Sequence, residues 1–98
     1  MIDLSPGDHA IVRDILTRHA PAGTRTWAFG SRVTGRARRF SDLDLALDAG
    51  RPLTLDELAE LREAFTESDL PMLVDLVDWT TLDPAFRARI EAHRAVLD

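Results

Sequence analysis

A small α/β fold, with helices on one face of a mixed three-stranded sheet, is what this sequence predicts. Three observations lead there. Asp42-Leu43-Asp44-Leu45-Ala46-Leu47 alternates with period two, the signature of a half-buried strand. Two longer segments repeat apolar residues at helical spacing behind recognisable caps. The elements alternate as α-β-(short α)-β-α-β-α, which suits one helical layer on one sheet.

The first helix is expected over residues 6–19. Ser5 can cap it, Pro6 suits the first helical position, and Ile11, Val12, Ile15, Leu16 and His19 follow at helical spacing. Pro21-Ala22-Gly23 ends it, and Arg25–Phe29 reads as a short strand stopped by Gly30. Residues 31–36 supply one or two helical turns, closed by Gly35, and Arg36–Ser41 is a loop. The second strand covers Asp42–Leu47. Thr54 and Glu57 form a capping box, so a helix is expected over about 55–67, with Leu55, Leu58, Leu61, Ala64 and Phe65 on its apolar face. Met72–Val77 is the third strand. Asp83-Pro84 opens a last helix carrying Phe86, Ile90 and Val96-Leu97.

Ninety-eight residues make one domain, 1–98. A chain this long buries roughly 60–65% of its unfolded surface, enough to fold alone with little reserve. No cysteine is present, which excludes disulfides and Cys-based zinc sites. No apolar run approaches the roughly 20 residues of a membrane span, and the N-terminus lacks signal-peptide character, so a cytoplasmic location is expected. The net charge of −5 argues against stable DNA binding. All twelve basic residues are arginine, so a phosphate clamp here would use guanidinium groups.

The segment with most chemistry is Gly30-Ser31, ten residues, then Asp42-Leu43-Asp44. In a strand, residues i and i+2 share a face. Asp42 and Asp44 therefore leave one face, and Leu43, Leu45 and Leu47 leave the core face. Met72, Val74 and Leu76 form the core face of the third strand, so Asp75 looks the other way and can stand beside the first pair. Asp78 has the opposite parity and is the alternative third carboxylate. Such a cluster repels itself unless it takes up a proton or a cation, and oxygen-only ligands favour Mg2+, or else Mn2+. Gly30 and Ser31 offer backbone N–H groups to an anion, and Arg32 and Arg36, four apart, are placed to line that turn. The bland reading keeps Asp42 and Asp44 as solvated turn and strand residues and the arginines as a basic loop. The three histidines show no ligand spacing. Trp27 and Trp79 flank strands and read as packing.

Phe29-Gly30-Ser31-Arg32-Val33-Thr34-Gly35, Ser41-Asp42-Leu43-Asp44-Leu45, Val74-Asp75-Leu76-Val77-Asp78 and the ending Leu82-Asp83-Pro84-Ala85-Phe86-Arg87 resemble the minimal nucleotidyltransferases of the DNA polymerase beta superfamily. The likeness spans about residues 8–97. It implies that fold and transfer of a nucleoside monophosphate from an NTP to an acceptor. Asp42, Asp44 and Asp75 would hold Mg2+, two ions by the family pattern, and Gly30 and Ser31 the triphosphate. Short members are commonly antitoxins of a HEPN-domain ribonuclease toxin, and some adenylylate a tyrosine on it. ATP as substrate, a HEPN toxin as partner and a homo- or hetero-oligomer are thus expected. Larger relatives carry an added acceptor-recognition domain absent here, so the acceptor is expected to come from another chain. Two further readings stay open: an antitoxin that masks its partner by contact alone, and a nucleotidyltransferase acting on a small molecule or RNA.

Overall fold

A computed structural model of the chain describes residues 2–97. Its elements are α1 (Pro6–His19), β1 (Arg25–Phe29), α2 (Ser31–Thr34), β2 (Leu43–Asp48), α3 (Leu55–Thr66), β3 (Val74–Asp78), α4 (Pro84–His93) and β4 (Ala95–Val96), with a tight 3-10 turn at Trp79–Thr81 before α4.

The caps act as the residue types dictate. Ser5 Oγ accepts the Asp8 N–H at 3.1 Å, and Pro6 leads α1. At α3, Thr54 Oγ1 accepts the Glu57 N–H at 3.1 Å and Glu57 accepts the Thr54 N–H at 2.8 Å. Arg51 grips the same Glu57 with two bonds of 2.8 Å, so the carboxyl falls to about 2, lowered first by that guanidinium and then by the Thr54 N–H. Asp83 caps α4 through the Phe86 N–H at 2.9 Å.

The sheet order is β3-β2-β1-β4. β1 runs antiparallel to β2 and β4, and β2 runs parallel to β3. A parallel pair needs a crossover, which α3 supplies. Leu43, Leu45 and Leu47 are fully buried against Val12 and Ile15 of α1 and Leu61 and Phe65 of α3. Each such leucine contributes on the order of 1.5–3 kcal/mol through removal from water.

Three expectations are corrected. The sheet has four strands, not three, because Ala95 and Val96 leave helical geometry and pair with Ala28 and Trp27. The last helix accordingly ends at His93 rather than reaching Val96-Leu97. The helices do not all share one face: α1 and α3 cover the leucine face, while the 3-10 turn and α4 lie on the other. There Trp79 meets Trp27 with ring centroids 5.4 Å apart, and Phe86 meets Phe29 at 6.2 Å. Two large aromatics on that side of β1 need cover. Arg94 completes it, its guanidinium 4.2 Å from the Trp27 ring centre and 5.1 Å from that of Trp79.

Candidate active site

Gly30 joins the end of β1 to α2 with φ 80° and ψ −156°, a backbone region essentially reserved for glycine. A Cβ placed there would collide with the Asp44 carboxylate, and would lie 3.2 Å from its Cγ. The two halves of the ten-residue spacing are thus in contact. Glycine is required because Asp44 lies against the turn. The Val33 and Thr34 N–H groups return to the Gly30 carbonyl at 3.0 and 3.1 Å, and the Arg36 N–H reaches the Ser31 carbonyl. The first N–H groups of so short a helix have no acceptor within it.

Strand register places the carboxylates. Asp44 pairs with Phe29 of β1 on one side and with Asp75 of β3 on the other. Paired residues share a face, so Asp75 stands beside Asp44, away from the leucine core. Asp42 lies one residue before β2 and is exposed, as is Asp75; Asp44 is half-buried. The Asp44 carboxyl is pushed above its ordinary value, first by burial, then by the negative charge of Asp75, then by that of Asp42. Asp75 and Asp42 both bear on Asp44.

They do not close into a cage: among the described residues, no three acidic or histidine side chains gather tightly enough to hold an ion alone. A magnesium ion does not need one, since it takes a carboxylate or two and completes its shell with water and phosphate oxygens. The all-oxygen donors and the strained charge at Asp44 fit such an ion.

Asp78, the alternative third carboxylate, is occupied elsewhere. It is 8% exposed and its register partner is Leu47, on the core side. Its Oδ2 accepts the Leu53 N–H at 2.8 Å and its Oδ1 accepts the Thr80 N–H and hydroxyl at 3.0 and 2.9 Å. It ties the α3 approach to the 3-10 turn.

Arg32 is a correction. Read from the sequence as a phosphate ligand, it is only 5% exposed, with its guanidinium spent on three carbonyls. Nε donates to Ser41 O at 2.9 Å, Nη1 to Asp3 O at 2.8 Å and Nη2 to Arg39 O at 3.1 Å. It braces the loop that leads to Asp42. A buried and an exposed arginine look alike in a basic run, which is why spacing alone could not separate it from Arg36. Arg36, Arg38 and Arg39 are exposed, with Arg36 the one attached to the α2 turn.

A hollow of about 700 Å3 lies at the opposite end of the sheet, between the end of α1 and Thr24–Trp27, away from the carboxylates. A smaller cleft of about 280 Å3 adjoins Gly30 and is lined by Phe86, Arg89 and His93 of α4. Sequence reasoning assigned these three no ligand role. An aromatic, an arginine and a histidine on a mixed-face helix carry no signal until β1 is known to lie beneath them.

Residues 12–97 match the family model described as polymerase beta, nucleotidyltransferase. The chain is 49% identical over 96 residues, 98% of its own length and 83% of the relative's, to a probable protein adenylyltransferase MntA of Haemophilus influenzae. Among solved structures it resembles a toxin–antitoxin crystallised with AMP-PNP, with a TM-score of 0.78 and 26% identity over 92% of this chain and 72% of that one. The MntA-HepT toxin–antitoxin, with a TM-score of 0.72 at 20% identity over 96% of this chain and 72% of that one, shares the fold.

Proposed function

The chain belongs to the polymerase beta nucleotidyltransferase family, and on that premise we propose that it transfers AMP from ATP to a side chain of a HEPN-domain toxin and serves as its antitoxin. The observation that carries this reading is Asp44, seated against Gly30 on one side and in register with Asp75 on the other. That geometry brings the Gly30 turn and a carboxylate pair to one spot. The protein adenylyltransferase name of the 49%-identical relative supports the reaction, and the AMP-PNP complex supports a nucleotide.

Residues 1–98 act as one domain in the cytoplasm. Gly30 and Ser31, with Arg36 alongside, hold the triphosphate; Arg32 does not join them but fixes the loop. Asp42 and Asp44, with Asp75, would hold Mg2+, two ions on this reading, or Mn2+ in their place. A bound metal would supply charge neutralisation for the phosphate oxygens of an in-line displacement. The chain's own residues do the rest. The acceptor hydroxyl oxygen forms a bond to the α-phosphorus as the bond to pyrophosphate breaks. Its proton passes to the Asp75 carboxylate, the exposed member of the pair and the one nearest solvent on β3. Asp44, half-buried, lies against the Gly30 turn, so its carboxylate starts beside a triphosphate bound there.

A contact-only antitoxin is favoured by one feature. Leu73 and Phe40, 75% and 62% exposed, flank the same end of the sheet as the carboxylates and offer apolar surface to a partner. Co-expression of the Asp42→Asn/Asp44→Asn variant with the toxin separates the two. Growth arrest, with loss of label transfer from α-labelled ATP, agrees with chemistry; full rescue of growth by the variant would favour masking.

A further inference from the structure

The cleft beside Gly30 lies on the same sheet face as the carboxylates. Phe29 and Phe86 meet edge to face at 86° in its wall, and Ile90, 2% exposed, closes its base. Arg89 and His93 are exposed at its rim, and the Arg89 guanidinium carbon lies 5.3 Å from the Phe86 ring centre. Position gives the cleft its meaning. Phe29 is the β1 partner of Asp44, and Asp75 is the β3 partner. The cleft and Asp75 therefore flank Asp44 on opposite sides, and Gly30 lines the cleft directly. A triphosphate on the Gly30-Ser31 turn approaches from the β1 side and leaves the β3 side to the acceptor.

Resting on the adenylyl-transfer reading above, we infer that this cleft seats the nucleobase of the nucleoside triphosphate. A planar heterocycle gains from contact with the phenyl rings and the apolar base. Arg89 carries only donors, which suits the ring-nitrogen and carbonyl acceptors of a base edge, and its planar guanidinium can stack on the ring. The acceptor's aromatic side chain is the competing occupant, and it is disfavoured because Asp75, which takes the acceptor proton, stands on the far side of Asp44.

Binding in Mg2+ by calorimetry tests this, with ATP and inorganic tripolyphosphate as the two probes. Two variants are used: Phe86→Leu, and Arg89→Ala/His93→Ala, whose exposed positions leave the fold intact. Each is expected to weaken ATP about tenfold, the scale of one lost stacking contact, while tripolyphosphate stays within about twofold of wild type. Unchanged ATP affinity in both variants overturns the inference. So does equal weakening of both probes, which would put these residues on the phosphates, or an increased KM for the acceptor at constant ATP affinity, which would give the cleft to the acceptor. A wild-type protein that binds neither probe would instead sink the nucleotidyl-transfer reading itself.

Discussion

Replacing Asp44 with Asn should make the folded protein more stable at neutral pH, although it removes a central residue of the site. Asp44 is half-buried and in register with Asp75, with Asp42 also acting on it. Neighbouring strands run about 4.8 Å apart. Two unit charges at about 5 Å cost roughly 3 kcal/mol at an effective dielectric near 20 and about 0.8 kcal/mol in bulk water. Asp75 and Asp42 are exposed, so the low end applies, about 1 kcal/mol. In a domain of this size that is a rise in Tm of roughly 4–8 °C. The sign follows from the raised folded-state pKa. Its contribution to stability is fully present below the ordinary value of 3.8 and is lost as pH rises through the folded value. The Asn variant's advantage should thus appear as pH climbs above about 4 and vanish below about 3. Thermal unfolding followed by circular dichroism across that range reads it directly. A Tm at neutral pH equal to or below wild type, or an advantage as large in acid, would refute the placement of these charges. Millimolar Mg2+ should raise the Tm of wild type and leave the variant unmoved.

Five other outcomes follow. Gly30→Ala should lose about 1–3 kcal/mol from backbone strain alone, and nucleotide binding with it, since its Cβ meets Asp44; thermal unfolding and calorimetry check both. Asp78→Ala should cost about 1–3 kcal/mol by orphaning the Leu53 and Thr80 donors. Asp75→Asn should be at least as stable as wild type, since it relieves the same repulsion, and should lose label transfer; lost stability with label transfer retained would make Asp78 the third carboxylate. Arg32→Lys, which cannot reach three carbonyls, should lower the Tm, whereas Arg36→Ala should leave the Tm alone and raise the KM for ATP. Glu57→Gln should be less stable than wild type above the ordinary value of 4.5, and the gap should close as pH falls through about 2, because a depressed carboxyl loses its stabilisation only there.

How far the sequence reached depended on what each feature rests on. α1 begins at Pro6 and ends at His19 as expected, since Ser5, Pro6 and a run of apolar residues at helical spacing act locally. The parity of Leu43, Leu45 and Leu47 against Asp44, and of Val74 and Leu76 against Asp75, is also local, and the register agrees with it. That parity placed Asp75 on the outer face and Asp78 inward before any pairing was known. β4 was not legible, because two residues, Ala95 and Val96, hold no pattern of their own and are strand only through β1. The side on which α4 packs was equally hidden, being decided by Trp27 and Phe29 on a strand more than fifty residues away. Arg32 was misread for the same reason: its three carbonyl partners at Asp3, Arg39 and Ser41 exist only in the folded loop.

Adenylyl transfer is tested most directly by following the two ends of ATP at once. The protein and the proposed HEPN-domain toxin are incubated in Mg2+ with ATP labelled at the α-phosphate or at the γ-phosphate, and the denatured toxin is then counted. Covalent α-label, no covalent γ-label and loss of the α-label with Asp42→Asn/Asp44→Asn are the expected results. Covalent γ-label, or α-label undiminished in the variant, would contradict the mechanism built on these aspartates.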